Sequence, residues 1–203
     1  MTIVVFFTLF SVCLLGAMSP GPSLAVVTKH ALSGGRFNGL CTAWAHASGV
    51  FFYALLTSSG LAVLLQHSPV LFKALTWLGA GYLAWLGVKS LMSKGGIQAQ
   101  MQSGKKVSAL AAAGDGLAIS LFNPKIALFF IALFSQFIGV AGNMAETAVI
   151  VATPALIDGL WYTLIAVVMS SQAVVQRIQA KAGIIDKVTG GVLILLAVKA
   201  VSL

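Results

Sequence analysis

The sequence predicts an all-α integral membrane protein of six transmembrane helices, built as two inverted three-helix repeats with broken first and fourth helices. Three observations carry that expectation. Composition is the first: 59% of the 203 residues are hydrophobic and 8% are charged, with a mean hydropathy of +1.02. A soluble domain carries about a quarter of its residues as charged groups, so this chain cannot cover itself with polar surface and needs lipid as its solvent. The second is the alternation of long apolar stretches with basic connections. The third is a pair of proline breaks at related places in the two halves of the chain.

A helix crossing the roughly 30 Å hydrocarbon layer needs about 20 apolar residues. Stretches of that kind lie at Ile3–Thr28, Leu40–Leu65, Pro69–Met92, Ala109–Ile138, Glu146–Ser171 and Gly183–Ser202. Lys29 and Arg36 follow the first; Lys89, Lys94, Lys105 and Lys106 follow the third; Arg177, Lys181 and Lys187 follow the fifth. Basic connections stay cytoplasmic, so nine of the twelve basic residues agree on one topology with both termini outside; Lys73 is the exception. The net charge of +8 is therefore a membrane-orientation signal, and a nucleic-acid partner is not expected. No basic residue precedes Lys29, so no cleavable signal peptide is expected either. Cys13 and Cys41 are too few and too far apart for a disulfide framework or a zinc site, and both read as small packing residues.

The chain reads as one transmembrane domain: repeat one over about 1–92, a cytoplasmic loop rich in Gly, Gln, Ser and Lys over about 93–108, and repeat two over about 109–203. Gly49, Gly81, Leu83, Leu86, Val88 and Lys89 have identical partners 110 residues on, at Gly159, Gly191, Leu193, Leu196, Val198 and Lys199. Three spans per half invert the second half relative to the first, as in many secondary transporters whose site lies between the halves at the midplane.

Ser19-Pro20-Gly21-Pro22-Ser23 falls inside the first span. Each proline removes a backbone donor and clashes with the preceding turn, so the helix must restart there and present a positive N-terminus suited to a carboxylate. The blander reading is a packing kink. Asn123-Pro124-Lys125 interrupts the fourth span in the same way, with Asn123 placed to cap the restart. Lys125 lies too far from either end to reach the interface, so it is expected to face a cavity or a partner, unless the helix is shorter and the lysine stands at its end. Asp158 lies deep in the fifth span, and an intramembrane carboxylate is a functional candidate by default; Lys125 is the cation available to pair with it at rest. His46, Trp161 and Tyr162 are weaker candidates, as a proton relay or as walls of the site, against ordinary hydrogen bonding or packing. Asp115 reads as a cap of the fourth helix at its cytoplasmic end.

Over essentially its whole length the chain resembles the LysE/RhtB family of bacterial amino-acid exporters. The matching elements are Ser19-Pro20-Gly21-Pro22, Gly79 through Gly87, Asn123-Pro124-Lys125, Ala132 through Phe137, and Asp158-Gly159-Leu160-Trp161. Two positions depart from the common pattern: Ser23 stands where many members have a larger polar residue, and Ser135 where many have proline. The resemblance implies efflux of a small amino acid or derivative across the bacterial inner membrane, driven by proton antiport and performed by a homodimer. In that scheme Ser19, Pro20, Gly21, Pro22, Ser23, Asn123, Pro124 and Lys125 hold the carboxylate, and Asp158 meets the amino group and exchanges it for a proton. The rivals are a channel or accessory subunit and an intramembrane enzyme. The enzyme reading lacks an HExxH motif, a Cys–His pairing and a second membrane carboxylate beside Asp158, so neither catalysis nor a cofactor is expected.

Overall fold

Helices begin and end where the chain's prolines, glycines and small hydroxyl residues fall. The computed structural model describes residues 1–19, 21–92, 105–137, 143–169 and 180–201. Seven α-helices are present among them: α1 (Ile3–Met18), α2 (Pro22–His67), α3 (Pro69–Leu91), α4 (Ala109–Phe122), α5 (Pro124–Phe137), α6 (Met144–Met169) and α7 (Ala182–Val201). No strand occurs among the described residues.

The break in the first span falls where the prolines put it. α1 stops at Met18 and α2 restarts with Pro22 in its first turn. The fourth span is divided at Asn123 into α4 and α5, which are bent by 53°. Asn123 caps the restart: its Oδ1 accepts from the Lys125 N–H at 3.0 Å. The expected connection between the first and second spans differs. α2 runs through residues 28–40 and is interrupted only at Gly35, whose φ of 80° lies in the left-handed region that glycine tolerates. The chain stays helical on both sides of Gly35, so this one residue serves as the hinge between two helical stretches. Asp115 is not the cap of α4; the Ser108 hydroxyl accepts from the Ala111 N–H there.

By length and composition, Pro22–Leu64, Pro69–Leu91 and Met144–Met169 are sufficient to cross a membrane, and the bent α4–α5 pair brings the number to four where it is counted as one broken span. The helices pack across the two halves of the chain: α2 lies on α4 and α6, α1 on α6, and α3 on α5 and α7. The core gathers Leu9, Leu83, Leu133, Phe134 and Leu193, all within 2% exposure. The outward faces carry Phe7, Leu78, Leu110 and Leu195, as a lipid-exposed surface does.

Thr76, Ala80, Leu83 and Gly87 are buried on α3, and the residues 110 further on, Asp186, Gly190, Leu193 and Ala197, are buried on α7. Their backbones touch at two glycines: a Cβ on Gly87 would stand 2.8 Å from the Gly190 carbonyl oxygen, and one on Gly190 would stand 2.6 Å from that of Gly87. Small residues allow this approach, which is how membrane helices gain packing contact without a hydrophobic driving force.

Candidate functional site

The two helix breaks and the middles of α2 and α6 meet in the interior. Asp158, on α6, is 7% exposed. Its Oδ2 lies 2.7 Å from Nδ1 of His46 on α2, itself 1% exposed. The other ring nitrogen, Nε2, lies 2.8 Å from the Ser23 hydroxyl in the first turn of α2. Asn123, at the α4–α5 break, donates its Nδ2–H to the same hydroxyl at 3.4 Å. Asp158, His46, Ser23 and Asn123 thus form one buried polar chain across four helical segments.

The chain has a self-consistent protonation. A carboxylate accepts only, so His46 places its proton on Nδ1; Nε2 then accepts from Ser23, whose oxygen accepts from Asn123. Inside a low-dielectric interior such a network is rigid when each member is satisfied. Tyr162, one turn beyond Asp158, stands edge-on to the His46 ring with centroids 5.2 Å apart and donates its hydroxyl to the Ala17 carbonyl at 3.3 Å.

Lys125 reaches toward the end of α1. Its Nζ donates to the Ser19 carbonyl at 2.8 Å and to the Ser19 hydroxyl at 2.7 Å. It also packs against Gly21, where an added Cβ would stand 3.2 Å from Nζ. Two cavities meet this side chain. The inner one, about 50 Å³, is lined by Ser23, His46, Lys125, Asp158 and Tyr162 with an apolar wall of Val50, Ile126, Phe129 and Phe130. The outer one, about 850 Å³, is lined by Ser19, Gly21, Pro22, Asn123, Pro124 and Lys125 on one side and by residues of α3 and α7 on the other.

Of the residues singled out in the sequence, Ser23, His46, Lys125, Asp158 and Tyr162 line the inner cavity, and Ser19, Gly21, Pro22, Asn123 and Pro124 line the outer one. Pro20 lies outside the described residues. Trp161 packs instead against the cluster of Leu24, Val27 and Tyr162 between α2 and α6. The side chain that meets Asp158 is His46, by a hydrogen bond of 2.7 Å, where the sequence alone offered Lys125. Cys13 reads as a packing residue in the sequence, the apolar wall of Val50, Ile126, Phe129 and Phe130 draws no attention there, and nothing local distinguishes any of them from the rest of the core. Among the described residues no group of His, Cys, Asp and Glu could hold a metal ion.

Residues 14–203 match the family model described as LysE type translocator. An uncharacterized membrane protein YrhP of Bacillus subtilis is 28% identical over 189 residues, covering 89% of this chain and 90% of that protein. A leucine efflux protein of Enterobacter sp. is 33% identical over 132 residues, 65% of this chain and 63% of the relative. Another, from Klebsiella pneumoniae, is 36% identical over 124 residues, 60% of this chain and 57% of the relative. The matched part thus spans only about three fifths of the leucine efflux proteins. No solved structure matches the chain.

Proposed function

Because the chain belongs to the LysE type translocator family, we propose that it is a secondary active transporter exporting a small aliphatic amino acid from the bacterial cytoplasm in exchange for protons. The observation that carries this reading is the buried Asp158–His46–Ser23 chain in a cavity whose wall also includes Lys125. An amino acid brings one negative and one positive group. Lys125 and the helix N-termini at Pro22 and Pro124 suit its carboxylate, and Asp158 suits its ammonium. Proton and ammonium then compete for one carboxylate, which makes the exchange obligatory. His46, hydrogen-bonded on both sides, is placed to pass the proton between Asp158 and Ser23.

The side chain of the substrate would lie against Val50, Ile126, Phe129 and Phe130, and relatives named leucine efflux protein agree with an aliphatic cargo. A cavity of about 50 Å³ holds a few waters rather than an amino acid. The conformation is therefore contracted, and binding must widen it.

Six spans complete the reading. α1 with the part of α2 before Gly35 forms the first, the remainder of α2 the second, and α3, α4–α5, α6 and α7 the others. The matched burial of α3 and α7 at an offset of 110, and a break in the first span of each half, support an inverted repeat. The reading also takes the bacterial inner membrane as the location and a homodimer as the assembly, as the family resemblance implies.

The test is a panel of labelled amino acids preloaded into proteoliposomes, with efflux followed under an imposed pH gradient. Saturable efflux of an aliphatic member, accelerated by the gradient, is expected. Efflux of every member at the rate of protein-free liposomes, or indifferent to the gradient, would overturn the reading.

A further inference from the structure

We infer that the outer cavity is the cytoplasmic vestibule through which the substrate arrives, and that the Lys125 side chain is the door between it and the inner cavity; this rests on the transport reading above. Lys125 lines both cavities. Its Nζ is held across the gap between α5 and the end of α1 by two hydrogen bonds to Ser19, so the side chain itself divides the two spaces.

The vestibule's far wall is unlike a lipid-facing groove. Lys89 lies over the ring of Trp85, 5.1 Å from its centroid, and Asp186 and Ser90 line the same space. A groove meant for acyl chains has no use for opposite charges, which are costly in hydrocarbon. A zwitterion uses both. Lys89, Ser90 and Asp186 also stand at the C-terminal end of α3 and the N-terminal end of α7. That end of α3 precedes Lys94, Lys105 and Lys106 in the sequence, which places the mouth on the cytoplasmic side.

The door is opened by the cargo. An incoming carboxylate offers Lys125 a charge-assisted hydrogen bond, stronger than those to the neutral oxygens of Ser19. Drawing Nζ off Ser19 joins the two spaces and leads the substrate to Asp158. The path is thus open only to a molecule carrying an anionic group.

Two thiol reporters test this. Leu86→Cys, in a Cys13→Ser/Cys41→Ser background, puts a thiol on the vestibule wall; native Cys13, in a Cys41→Ser background, lines the inner cavity. A small hydrophilic thiol reagent is added to inside-out or right-side-out vesicles; efflux activity certifies the reporter proteins that retain Lys125, and an unchanged elution profile and melting temperature in detergent certify Lys125→Ala. Leu86→Cys is expected to react from the cytoplasmic face only. Cys13 is expected to react at least about tenfold faster once Lys125→Ala removes the door. Labelling of Leu86→Cys from the external face alone, or equal Cys13 rates with and without Lys125, would overturn the inference. Either result alongside gradient-driven efflux that still depends on Asp158 would leave the transport reading standing and remove only the vestibule and door.

Discussion

Two histidine–aspartate pairs among the described residues tie the first half of this chain to the second; both histidines are buried, but the two carboxylates sit in opposite environments. His46 and Asp158 meet at 2.7 Å deep between α2 and α6, both nearly out of reach of solvent. His30 and Asp115 meet at 2.9 Å between α2 and α4, with the Asp115 side chain 49% exposed and the Lys29 ammonium 3.2 Å away on the same oxygen. The residue types are the same, so the surroundings decide what each pair can do. At the exposed end, water and Lys29 share the charge, and such a pair contributes little to stability. In the interior, two ionisable groups are held where charge is expensive, beside a cavity and a lysine. An arrangement that costs stability and adjoins a cavity is better explained by a working cycle than by structural need.

The largest expected effect comes from the buried carboxylate. Asp158→Asn keeps the shape and a hydrogen bond to His46 but can neither ionise nor hold an ammonium. A positioned proton-transfer group is worth roughly a hundredfold or more in rate, so gradient-driven efflux should fall by at least about that factor, with the protein still inserted. Proteoliposome efflux at the wild-type rate would end the proposed role for Asp158.

The next effect separates partnership from proximity. His46→Gln removes the ring N–H that Asp158 accepts from and weakens the hydrogen bonding of a buried carboxylate, a loss of about 1–3 kcal/mol. Adding Asp158→Asn removes that buried charge, so the double variant should be more stable than His46→Gln alone. Denaturation in detergent reads the coupling; strictly additive losses would show that the two groups do not act as a unit.

How much of this was legible in the sequence depends on range. The breaks at Ser19–Pro22 and Asn123–Pro124 were readable because proline acts on the turn it occupies, and the Asn123 cap because it acts two residues away. Asp158 and Lys125 stood out because charge is conspicuous in an apolar span. Their partners did not. His46 and Asp158 are 112 residues apart, and nothing near either residue specifies the other; nearness in type made Lys125 the natural guess. Gly34 and Gly35 read as a loop between spans, whereas the helix needs only one glycine of positive φ to turn and continue. Trp161 and Tyr162 were indistinguishable neighbours until α6 was oriented, when one faced the cavity and the other the α2 cluster.

The smallest expected effect tests the comparison from its other side. Asp115→Asn keeps an acceptor for His30 and an uncharged neighbour for Lys29, so the hydrogen bond can survive while the charge attraction is lost. With the carboxylate half in solvent, that attraction is worth no more than about 1 kcal/mol and weakens further in salt. Thermal stability in detergent should drop by a few degrees at most, and efflux should stay within about fivefold of wild type, the change that 1 kcal/mol corresponds to. Running Asp115→Asn beside Asp158→Asn makes the contrast quantitative: one pair tolerates loss of its charge and the other does not. If Asp115→Asn instead abolished gradient-driven efflux while the protein remained folded, burial would not be what distinguishes the two pairs. The Lys29–His30–Asp115 cluster would then have to open and close with the cycle, holding α2 to α4 in one state and releasing it in the other.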